Sequence, residues 1–433
     1  SATPLYNDHR EIIFLLNIMR KNDKRRMISN SEIFDAMGNF VKNDNGDEIG
    51  KSRLIEYVRG YVSFVRGENP YTFPYRIFPK LFDPSKSMLS EQNKIEYPSI
   101  QMNNKTIRAP IEYVDVYPVE IGERQQEVYN MLIDKIATKP EEDTVVEKDI
   151  GYNSLIAPIQ ALNIGFPSLD ETKKGIQLIG EEGLNSIMTY EKNDTANTPY
   201  KSNFKYRPKI LEKYGEIFSR KNIGKYSGKI KQICDHVANG KGIHLIYNSN
   251  IMGGIIPMAL ALEEMGFTRY GNNKSLFQKK ENRKTNKKYI IISGDKYFSP
   301  NNPDDVNAST DEANVDGNKI QVILISKAGF EGIDFKYIRH IHVMDPWYNM
   351  NRIEQIIGRG VRNCSHKLLP FTKRNVCIYL YGTILEDKKY ESADMYLYRR
   401  SEKKALQIGK ITRTLKESAV DCLLNIHQLD YDK

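Results

Sequence analysis

The sequence predicts an α/β fold: a parallel sheet with helices on both faces, plus a mainly helical and irregular N-terminal and insertion region. Three observations lead there. From about residue 205 onward, short runs such as KYIIISG (288–294) and KIQVILIS (319–326) are apolar along nearly their whole length. Segments with apolar residues at helical spacing separate them, as in MGGIIPMALALEEMG (252–266). Strands apolar on both faces, alternating with helices, belong to a parallel sheet covered on both sides.

Taken in order, Pro4, Asn7 and Asp8 mark a turn before the apolar-periodic EIIFLLNIM (11–19), a helix. Residues 38–52 are polar and glycine-containing, hence a loop, and 54–65 mix aromatic and apolar residues. The stretch 66–84 carries four prolines and reads as an extended connection. IEYVDVYPV (111–119) alternates like a strand, and Val128, Met131, Leu132 and Ile136 place a helix over 122–137. Residues 138–200 are polar, with small helices around SLIAPIQALNIGFPSL (154–169). The regular part then runs strand 242–249, helix 252–266, strand 288–294, a polar insertion over 299–318, strand 319–326, strand 338–345, helix 351–363, strand 375–382 and helix 391–410. The stripe Met252, Ile255, Ile256, Leu260 and Leu262 is core. Ligands of such sheets bind at the carboxyl ends of the strands. Polar residues gather there: Asn248, Ser249, Ser293, Ser326, Lys327 and Asp345.

With 433 residues the chain is long enough for two or three domains. It is 40% hydrophobic and 27% charged, an ordinary soluble composition, and no apolar run approaches the roughly 18 residues of a membrane span. It opens on Ser1 with residues that already look like a domain interior, so it reads as a fragment or processed product whose missing targeting signals mean little. The four cysteines form no CxxC pair, which fits a reducing compartment. His340 and His342 alternate in a strand, and no cysteine or carboxylate stands at zinc spacing beside them, so no metal site is expected. The net charge of +9 favours a polyanionic partner. The densest basic run, Lys274 to Lys288, holds seven Lys/Arg and one Glu, and is either a solvated loop or a nucleic-acid contact.

Two motif matches are decoys. GDEIGKS (46–52) has three residues between its glycines where a phosphate-cradling P-loop needs four, and no apolar strand precedes it. DEAN (311–314) follows a turn-rich polar loop, not the buried strand a magnesium-binding acidic box must end. The informative constellation is ISKAGFEGIDF (325–335) followed by MDPWYNMNRIEQIIGRGVR (344–362). Gly329 and Gly332 permit a tight loop whose N–H groups can meet a phosphate, and Asp334 can accept from a ribose hydroxyl or a water. Gln355, Arg359 and Arg362 project from one helix face. Planar guanidiniums suit a γ-phosphate whose charge develops in a transition state, the arginine-finger role. The bland alternative is that both arginines pair with surface carboxylates. Trp347, the one tryptophan, either stacks on a base or packs under its loop.

QIIGRGVR (355–362) resembles motif VI of superfamily 2 helicases, SKAGFEGID (326–334) their motif V, and GIHLIYNSN (242–250) their motif IV. The opening SATP resembles motif III, which lies between two RecA-like lobes. The serine and basic residue before AGxxGI, and DPWYN before the arginine helix, resemble the Snf2-like branch. RGYVSFVRGENPYTFPYR and GRGVRNCSHKLLPFTKRNVCIYLY resemble helicases of nucleocytoplasmic large DNA viruses. That group includes the poxvirus nucleoside triphosphatase, the early transcription factor small subunit and the African swine fever virus helicases.

The resemblance implies a RecA-like second lobe over 205–433, the end of a first lobe over 1–30, a connection over 31–110 and a strand, helix and insertion region over 111–204. It implies that Arg359 and Arg362 are γ-phosphate arginines, with Gln355 and Gly358 at the nucleotide. Glu331, Gly332 and Asp334 would form the loop coupling ATP to strand movement. Ser249, Asn250, Ser326 and Lys327 would touch nucleic acid, and Ser1 and Thr3 would couple the lobes. The implied cofactors are ATP and Mg2+, and the implied partners are DNA or RNA, the upstream lobe and viral transcription or replication proteins, with no membrane. The implied location is the host cytoplasm or the virion. Walker A and Walker B are absent from the sequence, so this chain alone is expected to be inactive. A non-catalytic binding module of a viral early transcription factor is the alternative.

Overall fold

The structure, a computed structural model, describes residues 5–64, 71–137, 150–195, 199–278, 285–327 and 332–428. Its strands are β1 (Tyr75–Ile77), β2 (Tyr117–Glu120), β3 (Met188–Asn193), β4 (Tyr200–Tyr206), β5 (Ile243–Tyr247), β6 (Thr268–Arg269), β7 (Lys288–Ile292), β8 (Val322–Ile325), β9 (Ile338–Val343) and β10 (Asn375–Ile384). The main sheet has the order β1-β10-β9-β5-β8-β7-β6, and every pair in it is parallel. β-Branched side chains suit a pleat buried on both faces. Every residue of β5 and β8 is accordingly buried. Two apolar clusters result, one on each face. Ile246, Leu260, Tyr289 and Leu324 belong to the first, and Leu245, Ile290, Ile323, Ile341 and Ile353 to the second.

The expected strands and helices from 242 to 417 are present, with shifted ends. The helix expected over 252–266 begins as a π-turn, Ile251–Ile255, and continues as Ile256–Glu264. The polar stretch 299–318 is not irregular throughout: Asn302–Thr310 is helical. DEAN is a turn within it. Asp311 accepts from the Ala313 N–H, and buried Asn314 bonds the carbonyls of Ser309 and Ile320. That wiring explains the motif without magnesium.

Earlier segments join the sheet. Within 31–110, Ile49–Val58 is helical and β1 lies beside the first residues of β10, pairing Tyr75 with Asn375. The strand expected over 111–119 is β2, which pairs with the far end of β10, Tyr117 opposite Tyr381. The antiparallel hairpin β3–β4 was not expected, because its outward alternation is Lys, Glu and Asn against aromatics and lacks an apolar run. The segment 5–58 builds its own cluster, with Ile12, Leu16, Ile33 and Leu54 packed on Ile411 and Leu415 of the long helix Ala393–Glu417.

One face of the sheet carries a polar seam. His342 on β9 exchanges a hydrogen bond with His244 on β5 (3.0 Å) and another with the Tyr381 hydroxyl on β10 (2.8 Å). His244 stacks on His340 at 4.2 Å, and His236, from the helix Gly228–Asn239, meets Tyr379 edge-on at 4.5 Å. Among the described residues no group of three His, Cys, Asp or Glu could hold a metal ion. Burial holds the His236 and His340 rings down to about 4, and lowers His244 and His342 as well; their mutual repulsion adds to this, while Asp83 and Asp235 oppose it at His236. A folded pKa below the unfolded value near 6.5 means that the unfolded chain binds more protons in between. Stability is therefore intact above about pH 6.5 and lost as pH falls toward 4. Urea unfolding across that window is expected to lose about 1.4 kcal/mol per pH unit for each histidine charged only on unfolding. His340→Gln should make the loss shallower, and an unchanged slope would dismiss the seam as its source.

Candidate functional site

The helix Met350–Gly360 is capped by Asn349, whose side chain accepts from the Arg352 N–H at 3.2 Å. It presses Ile353, Ile356 and Ile357 onto the sheet. A Cβ at Gly360 would stand 3.1 Å from Ile341 and 3.2 Å from Ile338, so glycine lets the last turn close on β9. A Cβ at Gly358 would meet nothing within 4 Å. The face carrying Gln355, Gly358 and Arg359 is therefore open, and Gln355 is exposed. Arg362 lies just past the helix end rather than inside it.

Both arginines reach one carboxylate. Arg362 donates to Asp334 Oδ1 through Nε (2.9 Å) and Nη2 (2.8 Å), and Arg359 Nη1 stands 3.5 Å from the same oxygen. Arg359 also donates to the Ile333 carbonyl at 3.3 Å, and the Phe335 N–H donates to the Arg359 carbonyl at 2.9 Å. Asp334 is 60% exposed, Arg362 44% and Arg359 18%. The bland alternative, pairing with a local acid, is thus present in this state. That acid belongs to the glycine turn itself, since Gly332 stands two residues before it with φ +76°.

A second group lies at the carboxyl ends of β5, β8 and β9. Ser249 donates through its N–H (3.0 Å) and its hydroxyl to Asp345, so that hydroxyl is already engaged. Burial raises the Asp345 carboxyl, opposed by the Ser249 donors, Lys229 and Arg352. Asn250 caps the π-turn, accepting from the Gly253 N–H. Among the described residues, the Ser326 hydroxyl, on a residue 1% exposed, and Asn248 Nδ2 have no hydrogen-bond partner. Buried polar groups are normally satisfied, so two orphans at neighbouring strand ends are a place where a ligand's polar atoms fit. Lys327 is exposed, its ammonium 5.5 Å from the Trp347 ring.

Arg352 and Tyr152 carried no expectation from the sequence. Arg352 is 5% exposed, donates to the Tyr247 hydroxyl at 3.2 Å and covers the Trp347 ring at 3.9 Å, while Tyr152 packs on that ring at 4.5 Å. The packing option for Trp347 is therefore realised on two sides. A cation at one helical repeat before Arg359 was a usable signal for Arg352. Nothing in the sequence pointed to Tyr152. Ser1, Thr3, Gly329 and Glu331 lie outside the described residues. The first described residues after SATP do reach the arginine helix: Asn351 Nδ2 donates to the carbonyls of Leu5 (2.9 Å) and Tyr6 (2.8 Å).

The two groups are not adjacent. The arginine helix runs antiparallel to β9, so Arg352 sits by the carboxyl ends and Arg359 by Ile338 at the start of β9. Six strand residues, about 20 Å, separate them. Lys327 stands at the carboxyl end of β8 and Asp334 beside the arginines.

Residues 269–364 match the helicase conserved C-terminal domain family, a span that includes Ser326, Lys327, Asp334, Gln355, Arg359 and Arg362. The chain is 24% identical over 98% of its length to a mimivirus protein provisionally named ATP-dependent RNA helicase R563. It is 35% identical, over 29% of its length, to nucleoside triphosphatase I of Choristoneura biennis entomopoxvirus. This chain is related to the viral superfamily 2 helicases. A further match is the early transcription factor large subunit homolog of African swine fever virus, 23% identical over 99% of the chain. The chain spans 60%, 19% and 37% of the length of these three relatives. Among the described residues, no helix is long and apolar enough to cross a membrane.

Proposed function

We propose that this chain supplies the second RecA-like lobe of a virus-encoded, ATP-dependent superfamily 2 motor acting on DNA or RNA, with Arg359 and Arg362 as its arginine fingers. The observation that carries the reading is the convergence of both guanidiniums on one exposed oxygen of Asp334. A phosphate oxygen could take the place of that carboxylate oxygen, because a guanidinium fork donates to either anion. An exposed ion pair is worth only about 0–1 kcal/mol, so a nucleotide can displace Asp334 at little cost. The donor set fits the phosphates of ATP. It offers nothing for Mg2+, which would be held by carboxylates of the upstream lobe, as would the phosphate loop. ATP bound there brings a phosphoryl group across the gap; Arg359 and Arg362 then stabilise its developing charge, and Gln355 and Gly358 border the same open face.

Ser326, Lys327 and Asn250 would contact the nucleic-acid backbone at the strand ends, and the crossover from Lys327 to Asp334 would transmit its occupancy to the fingers. A role as a transcription-complex binding module keeps the strand-end contacts and has no use for the fingers. The first test is binding of this chain to a fluorescent oligonucleotide over a salt series. Affinity is expected to fall linearly on log–log axes, by about 0.7 per phosphate contact for a single strand. Lys327→Gln should lower that slope by about one such step. A flat salt response would reject backbone contacts altogether.

A further inference from the structure

Beyond the strand ends of β5 and β8, the hairpin β3–β4 carries a lysine–tyrosine surface that nothing above assigns. It docks on the turn that follows β7, where the Lys201 N–H donates to the Tyr297 carbonyl at 2.7 Å, and on the segment after β6, where the Phe204 N–H donates to the Leu276 carbonyl at 2.7 Å. β7 is the immediate neighbour of β8, so this surface continues the row of carboxyl ends that starts at Asn250 and Ser326. One strand spacing is about 4.8 Å, which puts the turn after β7 within a nucleotide or two of Lys327.

The surface is organised around two rings. Lys192, Lys296 and Lys201 place their ammoniums 4.1, 5.3 and 5.7 Å from the centre of Tyr297, and Lys274 lies 4.0 Å over Tyr200 while donating to its hydroxyl at 2.6 Å. The hairpin and the turn carry Asp295, which pairs with Lys201, Asp194, which accepts from the Tyr297 hydroxyl, and Glu191, which accepts from Asn203, while Glu181 and Asp305 beside them accept from Tyr190 and Asn273. Lys205, Lys274 and Lys296 are exposed, and among the described residues none of them forms an ion pair with a carboxylate. A lysine already resting on a ring has lost part of the rotamer entropy that binding would otherwise cost. Lys274 and Lys296 are held over rings in this way, and Lys205 is a further exposed cation on β4 of the same hairpin; ammoniums in line with a nucleic-acid edge suit a phosphate backbone.

We propose that the hairpin β3–β4 and the turn after β7 are an extension of the nucleic-acid track, holding the backbone of a single strand through Lys205, Lys274 and Lys296. The proposal rests on the reading that nucleic acid runs along the strand ends, and names where the strand goes next. Continuity with that edge favours nucleic acid over an acidic protein segment.

The experiment uses this chain, two oligothymidylates and a salt series. One oligonucleotide has about 25 nucleotides. The other has about 8, within the span of one compact site. The variant Lys205→Gln/Lys274→Gln/Lys296→Gln is expected to bind the long strand about tenfold more weakly, with a salt slope lower by about 2, and the short strand as the unchanged protein does. All three positions are exposed, and an unaltered melting temperature verifies the fold. Equal losses on both lengths, or no loss on the long one, overturn the extension. If Lys327→Gln weakens both lengths while the triple variant weakens neither, the strand-end reading stands and the extension alone falls. If the unchanged protein binds neither oligonucleotide, both fall. If polyglutamate displaces the long strand at equal charge concentration, the occupant is an acidic chain and the proposal is overturned.

Discussion

Arg359→Ala and Arg362→Ala are each expected to lower nucleic-acid-stimulated ATP hydrolysis by about 10³-fold or more when the upstream lobe is supplied. The geometry makes the expectation specific. Both side chains converge on one oxygen, so neither can replace the other's direction of approach to a phosphate. The loss should appear in kcat, because the fingers meet charge that grows in the transition state. Arg362→Lys should recover little, since an ammonium cannot reproduce the two parallel donors now shared with Asp334. Oligonucleotide affinity should stay within about twofold, because the arginines lie at the other end of β9 from Lys327 and exposed charges so far apart are largely screened. Retained hydrolysis with both alanines would remove the finger assignment and leave the binding-module reading in possession.

The largest stability effect is expected at a pair that no motif marks. Lys229, 1% exposed, meets Asp394, 0% exposed, at 2.7 Å, and also donates to the Met344 carbonyl at 2.7 Å. It ties the first turn of Gly228–Asn239 to the end of β9 and the start of the long helix. Asp394 further accepts from Thr383 N–H and Oγ1, from the Ser392 hydroxyl and from the Met395 N–H. Burial alone would raise its carboxyl, but Lys229 and these donors together hold it below the usual range. Lys229→Met leaves that carboxylate buried with no countercharge and is expected to cost about 3–5 kcal/mol in denaturant unfolding. The sign with pH follows. The pair's contribution is present above about pH 4, where the unfolded aspartate is ionised, and is lost as pH falls through the lower folded value. The gap between unchanged protein and Lys229→Met should therefore close in acid. A cost under about 1 kcal/mol at neutral pH would show that water reaches the site.

The central strands were legible because isoleucine runs leave little choice of environment, whereas the pairing of Arg359 and Arg362 with Asp334 was not, because Arg362 lies past the helix that was expected to carry it. Lys229 was not, since its partner is 165 positions away in the sequence. Arg352 escaped for a related reason: a buried arginine is satisfied by Tyr247 and Trp347, which stand on other elements. The hairpin β3–β4 was hidden because its inward residues, Phe204 and Tyr206, are interleaved with polar ones in a stretch of low apolar content. Ser249 follows β5 as the sequence placed it, but its hydroxyl is already engaged by Asp345, which the sequence did not show.

Two short strands from the first third of the chain pair with the two ends of β10, β1 with its opening residues and β2 with its closing ones. A polypeptide begun at 205 would leave Asn375–Cys377 and Tyr381–Ile384 without these partners, their free amide donors and acceptors open to another strand. Such a piece would have every helicase-domain residue it needs and still lack a closed border, and its simplest remedy would be to pair with another copy of itself. The sheet is in this sense held apart from other copies by segments that lie outside the matched domain.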